Sequence, residues 1–437
     1  FCLLLAGFNF RALAGYKVFR HRYNKIENAE TTAIITYFPR RPQEGKARQQ
    51  ENFGGAEERK NTMKINDFKL ECYFGKYEFT APYLLTQSDC ESMSTRDLLA
   101  LEPGAQEKYL SQWLGYTETW GDPELREIIA GLYKTMTKEN VLVFHGAQEA
   151  IFGYMNVMLD PGDHMIAMFP NYQSAYEVAN AVPGCELSKW YLKDDGEKWT
   201  VDFDALEALI RPNTKLIAIN SPNNPTGYTF TNAEIERLCD ICRRHDLYLF
   251  ADEVYKGLEM DGEKRDWMAD HYEKCVSLGV MSKAYGLAGL RVGWLVTKDM
   301  ALLEKVVKFK HYMSICDSAP SEFLAEVALK HGDVLLTRNT NLIRDNMQLA
   351  DEFFARYPKL FSPRPITCGP VAFHKLLLDM PVKDFCQMAV DKKGVLLMPA
   401  DIYDFDGQYF RMGYGRKAVP EALAKFEEFL IENGFAG

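Results

Sequence analysis

The residues best suited to chemistry follow predicted buried strands, and the first of them is Lys283. It comes shortly after the apolar run Val276–Val280, among small and apolar residues. A lysine in such surroundings is desolvated, which lowers the pKa of its amine and makes it a Schiff-base nucleophile. Eight residues later, Arg291 offers a planar fork that suits a phosphate dianion. The plain alternatives are a surface lysine and a structural arginine.

Three further polar segments follow predicted strands in the same way. Asp252 and Tyr255 come at a strand end, where a carboxylate is costly unless it meets a cation or donors, or caps a helix. The turn Ser221–Gly227 holds two asparagines rigidly between prolines, and a capped loop explains it equally well. Gly146–Ala150 opens a helix whose free N–H groups suit a phosphate, although a plain strand–helix turn shows the same pattern.

The elements that must position these residues alternate along the middle of the chain. Short Val/Ile/Leu-rich runs between helical segments predict an α/β fold with a mostly parallel sheet flanked by helices on both faces. Ligands of such sheets bind beyond the carboxyl ends of the strands. After about residue 345 the pattern predicts a smaller α+β unit. The predicted strands are Val141–Phe144, His164–Phe169, Lys215–Ile219, Leu247–Ala251, Val276–Val280, Arg291–Val296, Val371–Leu378 and Gln408–Tyr414, and the predicted helices include Ala233–His245, Asn341–Arg356 and Pro420–Asn433.

Composition narrows the class of protein. The 437 residues are 47% hydrophobic and 26% charged, which is typical of a globular protein with a large core. A net charge of −10 argues against a nucleic-acid binder, because phosphate binding needs a basic face. No run approaches the roughly 20 apolar residues of a membrane helix, so we expect no membrane partner.

The first 62 residues differ from the rest of the chain. They carry eleven Lys/Arg against six Asp/Glu, and residues 39–61 are polar with little periodicity. We expect residues 1–62 to be an extension, disordered or non-native, with the enzyme starting near Met63. The rival interpretation is a targeting segment, since Phe1–Phe8 is apolar and Ala12–Ala14 resembles a cleavage site, although no basic segment precedes them.

Together these features resemble the class I/II aminotransferases of the pyridoxal-phosphate fold-type I superfamily, over about residues 70–437. The resemblance rests on the Asn-Asn-Pro-Thr-Gly turn ending at Gly227, on Asp252 with Tyr255, on Lys283 and on Arg291, in the family's order. It implies an enzyme that uses pyridoxal 5′-phosphate to move an amino group between an L-amino acid and a 2-keto acid, through a Schiff base on Lys283.

The resemblance also implies a role for each matching residue. Lys283 holds the cofactor and shuttles the substrate's α-proton, and Asp252 pairs with the pyridinium nitrogen so that the ring becomes an electron sink. Tyr255 and Asn224 bond the phenolic oxygen of the ring. The expected phosphate ligands are Arg291 and the N–H groups of Ala147 and Gln148, and Tyr172 is expected to stack on the ring.

Two more matching residues concern the substrate and a second subunit. Arg411, in Phe410–Tyr414, resembles the arginine that grips the substrate α-carboxylate, beside Asn224. Tyr116 resembles the tyrosine that reaches the cofactor phosphate of the neighbouring subunit. The resemblance therefore implies a homodimer with shared active sites.

The chain departs from the family pattern in two places. Many relatives have a serine three residues before the lysine, where this chain has Val280, so Ser282 is the expected substitute as a phosphate ligand. The substrate-facing N-terminal segment is unusual and includes Asp89 and Glu91. These carboxylates either select a basic amino group or cap the next helix with Ser92 and Ser94, and we favour capping.

Other side chains give weaker expectations. Cys239 and Cys242 form an isolated C-x-x-C in a predicted helix, so we expect buried, reduced cysteines, no metal site and a cytoplasmic protein. His145, beside the phosphate turn, is expected to be a packing residue.

The pattern also gives domain limits and leaves rival functions open. We expect a small-domain N-terminal segment over residues 63–112, a large cofactor domain over 113–340 and a small C-terminal domain over 341–437. The rival reactions are those of a carbon–sulfur lyase or a decarboxylase of the same fold. A regulator with an N-terminal DNA-binding module is disfavoured because residues 1–62 are short and their sequence does not predict two helices around a glycine turn.

Overall fold

The structure is a computed structural model that describes residues 65–435, and the expected extension over residues 1–62 lies outside the described residues. The α-helices of the described range are α1 (Lys69–Tyr77), α2 (Thr95–Leu99), α3 (Ala105–Leu110), α4 (Pro123–Ala130), α5 (Ala147–Met158), α6 (Ser174–Ala181), α7 (Phe203–Ala208), α8 (Asn232–Arg244), α9 (Met300–Lys310), α10 (Ala319–Lys330), α11 (Gly332–Arg356), α12 (Val382–Lys393) and α13 (Val419–Glu432). The strands are β1 (Tyr83–Leu84), β2 (Val141–Phe144), β3 (His164–Phe169), β4 (Glu186–Tyr191), β5 (Lys193–Asp194), β6 (Trp199–Thr200), β7 (Thr214–Asn220), β8 (Tyr248–Asp252), β9 (Cys275–Val280), β10 (Gly293–Val296), β11 (Phe361–Ser362), β12 (Val371–Leu376), β13 (Val395–Leu396), β14 (Met398–Pro399) and β15 (Tyr409–Gly413).

A seven-stranded sheet in the order β2-β10-β9-β8-β7-β3-β4 forms the centre. Its strands are parallel from β9 through β4, and β10 is antiparallel to both of its neighbours. Because β9, β8 and β7 run in the same direction, the residues that follow them meet at one edge of the sheet. This arrangement confirms the predicted α/β fold with a mostly parallel sheet.

Helices cover both faces of this sheet. Residues of β2 alternate between two apolar clusters, with Val141 and Val143 in one and Leu142 and Phe144 in the other. Side chains of successive strand residues point to opposite faces, so the continuous apolar run reflects burial on both sides. Helix α5 packs with α6 and α9 over one of these faces.

A smaller antiparallel sheet in the order β11-β12-β15-β14 forms from the last third of the chain. Helices α11, α12 and α13 pack beside it around aromatic rings, with Phe426 within about 6 Å of Phe353, Phe361 and Phe385. The early strand β1 joins this region through parallel pairing with β13. The expected smaller α+β unit is therefore present, and its residues come from both ends of the described range.

Two elements differ from their predictions for identifiable reasons. Helix α11 begins at Gly332 rather than at Asn341, because the polar stretch 337–341 hides the helical periodicity. Within it Asn339 is buried and donates from Nδ2 to the carbonyl of Ala284 at 2.7 Å. The edge strand β4 was not predicted, since its burial alternates and it lacks a continuous apolar run.

Three glycines let the segment Gln87–Glu91 lie flush against the rest of the fold. A Cβ at Gly413 would come within 1.8 Å of the carbonyl oxygen of Gln87, and one at Gly415 within 2.3 Å of that of Asp89. A Cβ at Gly286, whose φ is +71°, would likewise lie 2.6 Å from the carbonyl oxygen of Glu91. Larger residues would push this segment away. It therefore lies directly beside the loop that carries Lys283, whose carbonyl accepts from the N–H of Cys90.

Two further expectations concern helices and cysteines. Within residues 65–435 no helix combines the length and the hydropathy that a bilayer crossing requires. The cysteines of that range are free, and Cys239 and Cys242 lie buried on α8 as predicted.

Candidate active site

The predicted chemical residues meet around a cavity of about 590 Å³ at the carboxyl edge of the central sheet. The predicted residues on its wall are Ala147, Gln148, Tyr172, Asn224, Asp252, Tyr255, Ser282, Lys283 and Arg291. Two predicted residues, Arg411 and Tyr116, are not on the wall. Residues of helix α1 and the segment Gln87–Asp89 also line the cavity.

Lys283 lies in the loop after β9 and turns its amine into the cavity. Its Nζ donates to the hydroxyl of Ser88 at 3.0 Å. Burial lowers the pKa of this amine, and the nearby Asp89 carboxylate opposes that shift. A lowered pKa leaves more of the amine neutral near pH 7, which is the form that attacks an aldehyde carbon.

Asp252 ends β8 beneath the cavity and is 4% exposed. One carboxylate oxygen accepts from the N–H of Val254 at 3.2 Å. Burial raises the pKa of this carboxyl to about 7, against the opposite effects of that hydrogen bond and of Lys283. A buried carboxyl of this kind is stabilised in its ionised form by a cationic ring N–H, so it fits a protonated pyridine.

The first turn of α5 and Arg291 form an anion site at one end of the cavity. The helix has no side-chain cap at Gly146, so its first N–H groups, including those of Ala147 and Gln148, are free to bind a ligand. A Cβ at Gly146 would lie 2.6 Å from Nη2 of Arg291, so the guanidinium rests directly on this turn. Ser282 also lies on the wall. These groups fit a phosphate.

Asn224 has a fixed orientation at the cavity wall. Its Oδ1 accepts from Nη1 of Arg411 at 2.9 Å and from the hydroxyl of Tyr403 at 2.8 Å. Two donors on the oxygen leave the Nδ2 group for the cavity. Tyr255, which is 2% exposed, lies on the same wall, so two donors are available to one ligand oxygen.

Tyr172 is held over the cavity by α1. Its hydroxyl donates to Oε1 of Glu71 at 2.7 Å, and the centroid of its ring lies 4.9 Å from that of Phe68. Burial raises the pKa of this hydroxyl, and the adjacent Glu71 carboxylate adds to the shift. The phenol therefore stays neutral and presents a fixed aromatic surface.

Arg411 does not line the cavity but contacts Asn224, which does. It is fully buried, and besides Asn224 its guanidinium donates to Tyr403 at 2.6 Å and to the carbonyl of Thr86. Among residues 65–435 no carboxylate forms a salt bridge with it, and its Nε has no hydrogen-bond partner. A buried cation with neutral partners alone is well suited to an incoming carboxylate.

The two acidic residues of the N-terminal segment have different partners from those expected. Asp89 does not cap the next helix, because both of its oxygens accept from Arg416, at 3.1 and 2.6 Å. Glu91 accepts from the N–H of Lys417 at 3.0 Å, and Ser94 alone caps α2. The capping interpretation was therefore wrong for both carboxylates, which instead fix this segment to the loop after β15.

Two other predicted residues lie away from the cavity wall. His145 bonds the carbonyl of Cys316 through Nε2 at 3.2 Å, a contact that is consistent with the expected packing role. The ring of Tyr116 is exposed to solvent in the single chain. Within residues 65–435 no cluster of three or more His, Cys, Asp or Glu side chains could hold a metal ion.

Sequence reasoning missed several residues around the cavity. Asn220 ends β7 directly beside Asp252 and donates to its carbonyl at 3.0 Å, and the rule that strand ends meet would have found it. Glu71 lies in α1 and Glu78 is its C-cap residue, and Tyr403, which contacts Asn224, comes from the segment after β14. No local pattern marks these three, because only tertiary packing brings them to the site.

Comparisons with known proteins agree with this geometry. A family model described as aminotransferase class I and II matches residues 88–425. A capreomycidine synthase of Streptomyces vinaceus is 28% identical over 372 residues, covering 83% of this chain and 93% of that protein. An aspartate aminotransferase of Sulfurisphaera tokodaii is 24% identical over 343 residues, covering 72% and 82%.

Solved structures give the same result. The crystal structure of a PLP-dependent aminotransferase from Streptococcus suis matches with a TM-score of 0.79 and 28% identity, covering 85% of this chain and 99% of that one. The family match spans well over half of the chain, and the cavity has groups that fit each part of pyridoxal phosphate. The chain therefore belongs to the class I and II aminotransferase family and is a pyridoxal-phosphate-dependent aminotransferase.

Proposed function

We propose that Lys283 is the residue that holds pyridoxal phosphate covalently and that carries out the amino-group transfer. The observation that supports this most strongly is the position of its buried amine, in one cavity with Asp252 and with the anion site of Arg291 and α5. When bound, the cofactor supplies an electron sink for the carbanion formed at the substrate's Cα. The chain's own residues supply position and proton transfer.

Each wall residue then has a defined task. Asp252 keeps the proton on the ring nitrogen, and Tyr255 and Asn224 donate to the phenolic oxygen. Tyr172 packs against the ring face. The phosphate is bound by Arg291 and Ser282 and by the N–H groups of Ala147 and Gln148.

Arg411 and Lys283 are the residues that bind and deprotonate the substrate. We propose that Arg411 exchanges a neutral partner, Thr86 or Asn224, for the α-carboxylate, since the gain of an anion offsets the lost hydrogen bond. Burial lowers the pKa of Lys283 and so increases the fraction of neutral, basic amine, whose Nζ takes the proton from Cα. Ser88, its hydrogen-bond partner, keeps the amine directed into the cavity.

The test is a half-reaction with the purified protein. The chain is loaded with pyridoxal phosphate and mixed with single amino acids, and pyridoxamine phosphate and keto acid are quantified by chromatography. We expect equal amounts of both products from the native chain. The variant Lys283→Ala should lose the reaction by at least about 100-fold, whereas Lys298→Ala, outside the cavity, should not.

Other products would contradict the proposal. Ammonia with a keto acid but no pyridoxamine phosphate would indicate the carbon–sulfur lyase alternative. Carbon dioxide with an amine would indicate the decarboxylase alternative. Full activity of Lys283→Ala would remove the assigned role of this lysine.

We also propose a homodimer with shared active sites. Two loops carry exposed apolar side chains: Leu110, Trp113, Leu114 and Tyr116 on one, and Tyr312 and Ile315 on the other. Thr117 and Lys310 join the loops through bonds to the backbone of Asp317 and Thr119, so the side chains form one surface. Tyr116 does not line its own cavity, which is consistent with a role in the partner's cavity.

The domain limits and the location of the protein are also proposals. We propose the division into residues 63–112, 113–340 and 341–437, supported by the β1–β13 pairing and by the separate small sheet. We propose a cytoplasmic location, supported by the free cysteines of the described residues.

A further inference from the structure

The wall of the cavity that faces the cofactor site has polar groups that the proposed cofactor contacts do not use. They are Glu71 and Glu78 of the α1 segment and Gln87, which neighbours Ser88. All three present oxygen acceptors. Gln87 directly precedes Ser88, which accepts from Nζ of Lys283 at 3.0 Å, so a substrate bound at Lys283 lies next to this part of the wall.

The two glutamates share one face of the helix with an aromatic ring between them. Glu71, Phe74 and Glu78 have the spacing i, i+3, i+7, and all three line the cavity. Seven residues of helix put the two carboxylates roughly 10 Å apart along the axis. A side chain that enters over Phe74 therefore meets a carboxylate in either direction.

Neither glutamate has a cationic partner within residues 65–435. Asp89, the other carboxylate on this side, is neutralised by Arg416 at 2.6 Å, but no salt bridge there involves Glu71 or Glu78. Glu71 accepts only from the Tyr172 hydroxyl and Glu78 only from Nε2 of Gln87, at 3.3 Å. Two negative charges beside a ligand cavity lower the free energy of a bound cation.

Gln87 supports the same conclusion independently of the carboxylates. It is 7% exposed and lies on the cavity wall. Its amide nitrogen donates to Glu78, so its oxygen is the free end, and that oxygen accepts no hydrogen bond from a described residue. An amide oxygen on the cavity wall that no described donor engages can accept an N–H of a ligand.

We propose that this wall selects amino acids whose side chain ends in a cationic group, an ammonium or a guanidinium. The proposal rests on the transamination proposed for the same cavity. Glu71 and Glu78 supply the charge, and the Gln87 oxygen accepts a third N–H. The residues that select the substrate are therefore not Asp89 and Glu91 but two glutamates of α1.

The test compares substrates that match in shape but differ in charge. Single-turnover rates of pyridoxamine phosphate formation are measured for arginine against citrulline and for lysine against norleucine, with ornithine as a shorter cation. We expect the native chain to favour the cation of at least one pair by roughly 10-fold or more. Glu71→Gln and Glu78→Gln should each reduce that ratio by about 10-fold, whether or not they slow both substrates.

A matched control separates local from general charge effects. Asp67→Asn removes the same charge from the segment before α1, outside the cavity wall, and should change the ratio by less than about twofold. Cation-to-neutral rate ratios near one in the native chain, or ratios unchanged in both glutamine variants, would contradict the proposed selectivity. Neither result would contradict transamination itself. If no substrate yields pyridoxamine phosphate, the proposed function fails and this inference fails with it.

Discussion

At the scale of single residues, the site consists of buried charged groups without full partners. Lys283 has a neutral hydroxyl as its bonded partner, Arg411 has neutral acceptors, and Asp252 has a backbone N–H. The arrangements of Arg411 and Asp252 are unfavourable for the charged forms in the free protein and are relieved by a ligand group of opposite charge, whereas burial of Lys283 favours its neutral amine. The binding free energy of cofactor and substrate therefore includes the release of these desolvation costs.

The titration of Asp252 gives a prediction for the protein without cofactor. Burial raises the pKa of this carboxyl to about 7, so the folded state binds a proton over pH 4–7 that the unfolded chain has lost. Folding stability contributed by this group therefore falls as the pH rises through that window and stays low above it. Asp252→Asn removes this titration. As the pH rises from 5 to 8, the free energy of unfolding of the variant should therefore increase by about 2–3 kcal/mol relative to that of the native chain.

The measurement is urea unfolding of both cofactor-free proteins across that pH range. Asp204→Asn, which changes a surface carboxylate, serves as the control and should follow the native curve. If the free energies of unfolding of the native chain and of Asp252→Asn change in parallel with pH, Asp252 is ionised over the whole range and the prediction is wrong.

At the scale of elements, the anion site depends on the close approach of a helix end, a turn and a strand. Gly146 adopts φ +83°, and a Cβ at Gly293 of β10 would lie 2.8 Å from the N–H nitrogen of Ala147. These two glycines let Arg291 and β10 contact the first turn of α5. Because β10 is antiparallel between β2 and β9, it brings Arg291 back to the turn that follows β2.

Gly146→Ala should therefore weaken cofactor binding specifically. The new methyl group would lie 2.6 Å from Nη2 of Arg291 and displace the guanidinium from the phosphate. We expect the dissociation constant for pyridoxal phosphate to rise by at least about 10-fold, as for a lost charge-assisted hydrogen bond. Titration of the cofactor-free protein, followed by absorbance, measures it.

Gly162→Ala is the matched control for backbone strain. Gly162 also has positive φ, +91°, but a Cβ there meets no atom within 4 Å. This variant should lose a similar amount of stability without a change in cofactor affinity. Equal affinity losses in both variants would assign the effect to strain rather than to Arg291.

At the scale of the whole molecule, a buried ion pair ties the β5–β6 hairpin to the smaller antiparallel sheet. Asp194 of β5 binds Arg364 through both oxygens at 2.7 Å, and Tyr409 of β15 donates to it at 2.6 Å. Burial alone would raise the pKa of Asp194, but these donors outweigh it and lower the pKa to about 2. The carboxylate thus stays ionised at neutral pH and fixes the β5–β6 hairpin against the small sheet.

The proposed dimer gives the prediction at this scale. Leu114→Asp puts a charge into the exposed apolar surface, and desolvation of that charge on association should shift the chain to a monomer. Sedimentation velocity at matched concentrations measures the mass. Ile431→Asp, at an exposed apolar side chain of α13, should remain dimeric. A native chain that sediments as a monomer would refute the shared site.

The sequence by itself determined the α/β fold and most of the predicted residues that meet around the cavity. Runs such as Val141–Phe144 are apolar on both faces, and the polar residues after them had to meet at one edge because parallel strands end together. That rule links Asp252, Lys283 and the phosphate turn without knowledge of long-range packing.

Only the tertiary structure decided which other groups line the cavity. Glu71 and Glu78 lie on an ordinary amphipathic helix, and Asp89 and Glu91 had the more suggestive sequence. In the structure, Asp89 accepts a hydrogen bond from Arg416, whereas Glu71 and Glu78 line the cavity. Arg411 lies behind Asn224 and donates to it. These pairings join residues more than 100 positions apart, so they depend on packing between elements, which local periodicity does not encode.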